Sequence, residues 1–199
     1  LDRYGDIDSI AKLFIDVMKV APNMKVIVNG DDALTSYIAL ESGNEVIPYG
    51  INEKVLEGKE SQEMHEGRFC RRCGAPLEYE FHHYSQLGKY ACTSCDFKRP
   101  EVKFNASDIE VGEQLKFKVA DKQIVANYKG FYNVYNILAV YAALQSCGAK
   151  MEHFDEVLLN YNPSNGRMES FEIDGTKILL NLAKNPAGFN QNIAAVLRD

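Results

Sequence analysis

The sequence lacks any apolar run long enough to span a membrane. A membrane helix needs about 18 to 20 consecutive apolar residues, and no segment of this chain approaches that length. A secretory signal is also missing, because "LDRYGDIDSIAKLF" at the amino terminus has an early aspartate and no cationic stretch. These absences predict a cytoplasmic protein whose thiols stay reduced.

Positive charge is in deficit as well. Lysine and arginine number 22 against 28 acidic residues, so the formal net charge is −6. Nucleic-acid-binding domains are usually basic, so this balance argues against that class. The 199 residues are 46% hydrophobic and 25% charged, which is ordinary globular usage. We therefore expect one large domain or two small ones with a real core.

Cysteine is scarce, and its count of five is odd. An odd count in a cytosolic chain argues against a disulfide framework. Cys147 stands alone at the end of an apolar segment, where we expect a buried small hydrophobe rather than a nucleophile.

The other four cysteines form two Cys-x2-Cys pairs, Cys70 with Cys73 and Cys92 with Cys95. This spacing is typical of a zinc site, because two thiolates on one tight turn can both reach an ion at about 2.3 Å. Gly74 would help the first turn to close. Four sulfurs leave no open position for water, so the predicted zinc is structural. Iron in place of zinc, buried free thiols and disulfides are the alternatives.

Hydrophobic patterning predicts an α/β fold. Residues 8–51 alternate helix, strand, helix, strand, with Asp8 as the expected first N-cap. That order indicates a mostly parallel sheet with flanking helices. Period-two alternation predicts an antiparallel β segment at 102–129, and Asp174-Gly175 is a hairpin signal. The four-cysteine segment then reads as an inserted zinc ribbon, with His82 and His83 on its strands and not among the ligands.

Several polar groups have no obvious packing role. "NGDD" at 29–32 follows a predicted strand, where it would either contact a ligand or form a turn capped by Asp31 or Asp32. Asparagine is a poor helix former, so Asn136 inside an apolar helix indicates a specific contact, whereas Asn133 could be an N-cap.

Five segments, taken in order, resemble the Mur ligase family of ATP-dependent acyl ligases. They are "LDRYGDIDSIAKLF", "NGDD", "GFYNVYNILAVYAAL", "NGRME" and "NLAKNPAG". Together with the four-cysteine ribbon and "KNPAGFNQ", they resemble one branch of that family. In that branch a ligase subunit pairs with a GatD-like glutaminase.

The resemblance implies an activity in peptidoglycan biosynthesis. ATP would phosphorylate the α-carboxyl of D-glutamate in the lipid II stem peptide, and glutamine-derived ammonia would convert it to D-isoglutamine. The implied cofactors are ATP, Mg²⁺ and structural Zn²⁺, and the subunit would act at the inner face of the membrane. An amino-acid-adding Mur-type ligase and a non-enzymatic zinc-ribbon binding module are the alternatives.

The same resemblance implies roles for six residues outside the ribbon. Asn136 would contact adenine with Asn133 beside it, and Arg167 would reach a nucleotide phosphate. Asn181 and Asn185 would also lie at the ATP site. Lys12 aligns with the lysine that the family carbamylates to bind Mg²⁺.

Two residues depart from the family pattern. Tyr132 stands where the family has histidine, and Asn181 replaces the aspartate that holds the ribose hydroxyls.

The resemblance also implies domain boundaries. Residues 1–66 and 101–165 would be part of the central ATP-binding domain, 67–100 the zinc ribbon, and 166–199 the start of the carboxyl-terminal domain. These residues contain no G-x-x-x-x-G-K-[ST] phosphate loop. We expect that loop before Leu1, and we expect the 199 residues alone to be inactive.

Overall fold

A computed structural model describes residues 5–55, 67–161 and 168–197. The helices and strands, in chain order, are α1 (Ile7–Lys19), β1 (Lys25–Asn29), α2 (Ala33–Glu41), β2 (Glu45–Ile51), β3 (Leu77–Tyr84), β4 (Leu87–Cys92), β5 (Phe104–Val111), β6 (Leu115–Val119), β7 (Lys122–Ala126), α3 (Tyr132–Ser146), α4 (Phe154–Asn160), β8 (Glu169–Ile173), β9 (Thr176–Leu180) and α5 (Pro186–Val196). They divide into two compact units. The first holds the residues up to 105 and 138–143, and the second holds 106–137 and the residues from 144 onward.

The first unit begins with the predicted order of helix, strand, helix, strand. β1 and β2 pair in parallel, with Lys25 opposite Glu45 and Asn29 opposite Tyr49. The predicted N-cap of α1 is wrong, because Asp6 and not Asp8 caps this helix. Asp6 has an extended backbone and accepts a hydrogen bond from Ser9 N at 2.7 Å, whereas Asp8 already lies in the first helical turn, where its charge suits the helix dipole.

The "NGDD" turn joins β1 to α2. Asp32 is the N-cap of α2 and accepts hydrogen bonds from Leu34 N at 2.9 Å and Thr35 N at 3.3 Å. Asn29 Oδ1 accepts a hydrogen bond from Asp31 N at 3.1 Å. The capped turn is therefore present, and Asp32 makes it.

The ribbon strands β3 and β4 form an antiparallel hairpin in the first unit, from the Leu77–Cys92 pair to the Tyr84–Leu87 pair. The strands approach closely at Gly88, where an added Cβ would lie 2.1 Å from the carbonyl oxygen of Phe81. Only glycine fits there, which explains the residue type.

The second unit contains the predicted antiparallel segment. β5 pairs with β6, and β6 pairs with β7, in antiparallel fashion. Leu115, Phe117 and Ile124 of β6 and β7 are fully buried. Strands β8 and β9 form the predicted hairpin, and both turn residues, Asp174 and Gly175, have positive φ, as the common two-residue hairpin turn requires.

The predicted fold class is confirmed as a mixture of parallel and antiparallel β pairing with flanking helices. Cys147 is exposed just past the end of α3, so the expectation that it is buried is wrong. Cys147 belongs to the turn that follows the helix, and residues 148–150 of that segment are exposed as well. In the described ranges, no helix combines the length and apolarity that a membrane crossing demands.

Candidate metal centre and nucleotide-binding residues

Each Cys-x2-Cys pair lies on a tight knuckle, and the two knuckles are built alike. Cys70 N donates to Ala75 O at 2.8 Å, and Cys92 N donates to Phe97 O at 2.8 Å. The first knuckle turns at Gly74, whose φ is +76° and whose N donates to Cys70 O. Gly74 was predicted to ease this turn, and its left-handed backbone is the physical reason.

The four thiols converge on one point. Cys70 Sγ lies 3.6 Å from Cys95 Sγ, and Cys73 Sγ lies 3.5 Å from Cys92 Sγ. All four sulfur atoms lie within 4.8 Å of one another. A tetrahedral zinc with bonds of about 2.3 Å requires sulfur atoms separated by about 3.8 Å. The donor set and its spacing therefore fit a closed four-sulfur metal site, and no other such cluster occurs in the described part of the chain.

Backbone amides prepare one of these thiols for metal binding. Ser94 N and Cys95 N each donate to Cys92 Sγ at 3.4 Å. These hydrogen bonds, that from Ser94 first, lower the pKa of Cys92 to about 6. Because metals bind the thiolate form, these two amides favour, at Cys92, the state that a metal needs.

The two ribbon histidines lie outside the cluster, as predicted. His83 is buried with its ring edge against Phe81, at a centroid distance of 5.0 Å. His82 is half-buried and stacks on Tyr79 at 3.9 Å. Burial lowers the pKa of His83 to about 4, so this ring is neutral at pH 7.

The ribbon shares its core with the rest of the first unit. Cys70, Leu77, Tyr90 and Phe97 form one buried cluster with Ala33 of α2. Tyr37 of α2 meets Phe97 edge-on at 6.3 Å. One of the four clustered thiols, Cys70, is thus only 2% exposed and belongs to the same apolar cluster as a helix outside the ribbon.

The two arginines between Cys70 and Cys73 also join the ribbon to the helices. Arg71 pairs with Asp8 of α1 at 2.5 Å, and Arg72 pairs with Glu41 of α2 at 2.7 Å. Arg72 also lies over the Phe97 ring at 5.6 Å. These pairs are partly exposed, so each adds little stability by itself.

A buried ion pair makes a further connection. Arg99 Nε lies 2.5 Å from Asp31 Oδ1, and the two side chains are 6% and 0% exposed. The other carboxylate oxygen of Asp31 accepts from Ile51 N at 2.9 Å. Sequence reasoning did not foresee this pair, because 67 residues separate its members. The one available signal was a second aspartate in "NGDD" that the helix cap did not need.

The predicted adenine-contacting residues meet on α3. Asn133 is buried and donates from Nδ2 to Lys129 O at 2.7 Å. Asn136 is exposed and donates from Nδ2 to Asn133 Oδ1 at 3.2 Å. The buried amide of Asn133 therefore orients the exposed amide of Asn136. Tyr132 opens the helix, and an added Cβ at Gly130 would lie 2.7 Å from its ring.

The other predicted nucleotide residues are held by local contacts. Asn181 closes the β8–β9 hairpin, since its Oδ1 accepts from Met168 N at 3.3 Å. Asn185 is the N-cap of α5 and accepts from Gly188 N at 2.7 Å. Lys12 is exposed on α1. Arg167 lies outside the described residues.

Comparison with known proteins identifies relatives over nearly the whole chain. This chain is 32% identical over 194 residues to "Lipid II isoglutaminyl synthase (glutamine-hydrolyzing) subunit MurT" of Staphylococcus aureus (strain COL). The match covers 98% of this chain and 44% of that protein. The chain is 28% identical over 201 residues to the MurT subunit of Streptococcus pneumoniae (strain ATCC BAA-255 / R6), with the same coverages. The chain thus spans less than half the length of these relatives. No family profile matches it.

Solved structures show the same fold. The pseudomurein peptide ligase type C of Methanothermus fervidus superposes with a TM-score of 0.71 at 26% identity, covering 97% of this chain and 37% of that one. MurF of Acinetobacter baumannii superposes with a TM-score of 0.61 at 15% identity, covering 98% and 34%. These comparisons confirm the predicted resemblance to Mur ligases, and the relatives found by sequence are named as MurT subunits.

Proposed function

We propose that this chain, a relative of MurT subunits over 98% of its length, is the central part of an ATP-dependent, amide-forming ligase subunit. One observation carries the proposal: the similarity to MurT covers 98% of this chain, and the segment it covers contains four thiols placed to hold one metal ion. The whole protein would then amidate lipid II during peptidoglycan biosynthesis. Its nitrogen would come from glutamine through a GatD-like glutaminase partner.

The reaction explains why ATP is needed. A carboxylate is a poor electrophile, so transfer of the γ-phosphoryl group to the α-carboxyl of D-glutamate first makes an acyl phosphate and ADP. Ammonia then attacks the carbonyl carbon, phosphate leaves with the carbon–oxygen bond electrons, and the product is D-isoglutamine. Mg²⁺ would neutralise charge on the phosphates, with Lys12, if carbamylated, as one of its ligands.

The asparagine pair on α3 supports the nucleotide site. Asn133 fixes the orientation of the Asn136 amide by accepting one of its two Nδ2 hydrogens. The Oδ1 of Asn136 and its second Nδ2 hydrogen would then accept from N6 and donate to N7 of adenine, a pairing that asparagine makes well. Asn133 would act through Asn136, and Arg167, Asn181 and Asn185 would face the phosphates and the ribose.

Domain boundaries follow the same proposal. Residues 1–66 and 101–165 would belong to the central ATP-binding domain, 67–100 to the zinc ribbon, and 166–199 to the start of the carboxyl-terminal domain. The subunit would be cytoplasmic and would bind lipid II at the inner face of the membrane.

The test uses the full-length protein to which this segment belongs, purified together with its glutaminase. Incubation with lipid II, ATP and glutamine should convert the D-glutamate α-carboxyl to an amide, detected by mass spectrometry of the stem peptide. Asn136→Ala should raise KM for ATP about tenfold, the value of one well-placed bidentate contact. Gln145→Ala, an exposed change on the same helix, should not alter it.

The other outcomes separate the alternatives. Addition of an amino acid to the stem peptide, with no amide formed, would indicate an amino-acid-adding Mur-type ligase. Absence of ATP binding and of any lipid II product would contradict the ligase proposal and favour a zinc-ribbon binding module. The net charge of −6 already weighs against nucleic acid as the partner of such a module.

A further inference from the structure

We propose that the four-cysteine ribbon is a metal-dependent clasp that holds the carboxyl ends of β1 and β2 in place through Arg99 and Asp31. This inference goes beyond the proposed function and does not depend on ligase activity. It concerns how metal binding in one part of the first unit controls the order of another part.

The clasp begins at the ribbon. Arg99 follows the second knuckle, and its backbone N donates to Tyr90 O of β4 at 2.9 Å. Lys98, its neighbour, bridges to Ala91 of the same strand. The backbone of Arg99 is therefore fixed by the ribbon, and its position depends on the knuckle that carries Cys92 and Cys95.

The clasp ends on two strands of the parallel pair. The Arg99 side chain contacts Asp31, just past β1, and donates to Ile51 O at 3.2 Å and to Asn52 Oδ1 at 2.8 Å, at the end of β2. Asp31 also accepts from Ile51 N. One guanidinium and one carboxylate thus join the ribbon to both strand ends.

The backbone of the ribbon makes a parallel connection. Gly88 N of β4 donates to Asp31 O at 2.9 Å, and Asp32 forms an antiparallel bridge with Leu87. The turn after β1 therefore meets the ribbon through main chain and side chain alike. These contacts need the ribbon to be folded, and a ribbon of this size depends on its metal for folding.

The clasp lies at the edge of the sheet where β1 and β2 end. β1 and β2 run parallel, so their carboxyl ends lie at one edge of the sheet, and open α/β sheets bind ligands at that edge. The ion pair is almost fully buried, where a charge left without its partner is strongly unfavourable. Losing the ribbon would therefore take the guanidinium of Arg99 away from the buried carboxylate of Asp31, and the strand ends would open to expose that charge to water.

Hydrogen–deuterium exchange of the chain, with and without Zn²⁺, tests the clasp. Removing zinc from the wild-type chain with EDTA should raise exchange in the ribbon, and also about tenfold or more in segments 29–33 and 49–52, as expected for local opening. If exchange rises in the ribbon alone, or if the chain binds no zinc, the proposal is overturned.

Arg99→Gln isolates the ion pair. This variant should keep the zinc content of the wild-type chain, yet show the faster exchange in 29–33 and 49–52 before any zinc is removed. Removing zinc should then raise exchange in those two segments by less than it does in the wild-type chain, because the main-chain contacts of Asp31 and Asp32 are then all that is left to lose. Lys89→Gln is the matched control, because it breaks an exposed pair with Glu80 inside the ribbon and should change neither segment.

Arg99→Lys keeps the charge and gives the same comparison if Arg99→Gln does not fold. It should show an intermediate effect, since lysine cannot reproduce the forked contact to Asp31, Ile51 and Asn52. Wild-type exchange in 29–33 and 49–52 for both zinc-loaded Arg99 variants would overturn the proposal.

Discussion

Gly50 is the position where a single methyl group should do the most damage. It lies in β2, and an added Cβ would sit 2.5 Å from Asp31 Oδ1, 2.9 Å from Asp31 Cγ and 2.8 Å from Arg99 Nη2. Real Cβ atoms do not approach other atoms so closely. The backbone at Gly50 is ordinary strand and not left-handed, so alanine meets no backbone penalty, and the whole effect of Gly50→Ala falls on the buried ion pair.

The expected loss follows from what the methyl group displaces. Forcing extra volume into a packed site costs about 1 to 3 kcal/mol, and separating the partners of a buried ion pair costs about 3 to 5 kcal/mol. Relaxation of Arg99 would relieve part of this, so we expect Gly50→Ala to lower the free energy of unfolding by about 3 kcal/mol. For a chain of this length, that corresponds to a fall in Tm of roughly 6 to 12 °C.

Gly112→Ala provides the control, because nothing lies within 4 Å of its added Cβ and its φ is not positive. It should leave stability within about 1 kcal/mol of the wild type, with a small gain from a stiffer unfolded chain. Urea unfolding followed by circular dichroism, at equal zinc content, measures both variants. Equal stabilities of Gly50→Ala and Gly112→Ala would refute the reasoning.

A double-mutant cycle locates the cause. In a background of Asp31→Ala with Arg99→Ala the methyl group has room, so Gly50→Ala should then cost less than about 1 kcal/mol. If the cost is the same in both backgrounds, the methyl group acts on something other than the ion pair.

Two further predictions concern the ribbon. Cys70→Ser should lower the zinc content and also lower the free energy of unfolding by about 4 kcal/mol or more, as expected on losing a structural metal. Cys147→Ser changes an exposed cysteine outside the cluster and should alter neither quantity. Unchanged stability after metal loss would show that the metal is not structural. Burial lowers the pKa of His83 to about 4 from 6.5, so between these pH values the unfolded chain binds a proton on this ring that the folded chain does not bind. The stability that the neutral His83 contributes is therefore fully present above pH 6.5 and is lost as pH falls toward 4. His83→Phe should remove up to about 3 kcal/mol of that pH dependence, and pH titrations of wild-type and variant stability that run in parallel would contradict the assignment.

Local patterns in the sequence were sufficient to predict the helices and strands of residues 8–51, the antiparallel segment and one hairpin. The period of the apolar residues predicted the order of helices and strands in residues 8–51, and the alternation after Pro100 predicted the antiparallel strands. Asp174-Gly175 predicted a hairpin because few residues adopt the left-handed backbone that its turn requires. The N-cap of α1 was misplaced by two residues, since Asp6 and Asp8 are both good capping residues and Asp6 is the one with the extended backbone of a cap.

Some residues of the candidate site were predicted from local spacing, and the others were assigned through resemblance to a family. The two Cys-x2-Cys pairs were recognised because the metal constrains spacing within each pair, and the structure brings all four thiols together. Asn133 and Asn136 are one helical turn apart, so their contact also follows from local geometry. Lys12, Asn181 and Asn185 were assigned through resemblance to a family, and their nucleotide and Mg²⁺ roles stay predictions, as does that of Arg167.

The pairing of Asp31 with Arg99 was beyond such reasoning for a physical reason. Nothing in the chemistry of a lone aspartate says whether its partner is a cap, a ligand or a distant arginine, because that choice is made by the packing of the ribbon against α2. Once the ribbon is seen to share a buried cluster with Ala33 and an ion pair with Asp31, it can no longer be treated as an independent insert. A structural metal bound in such a segment would stabilise more than the hairpin that binds it. Variants of the four cysteines should therefore be interpreted first through the strand ends that the ribbon holds.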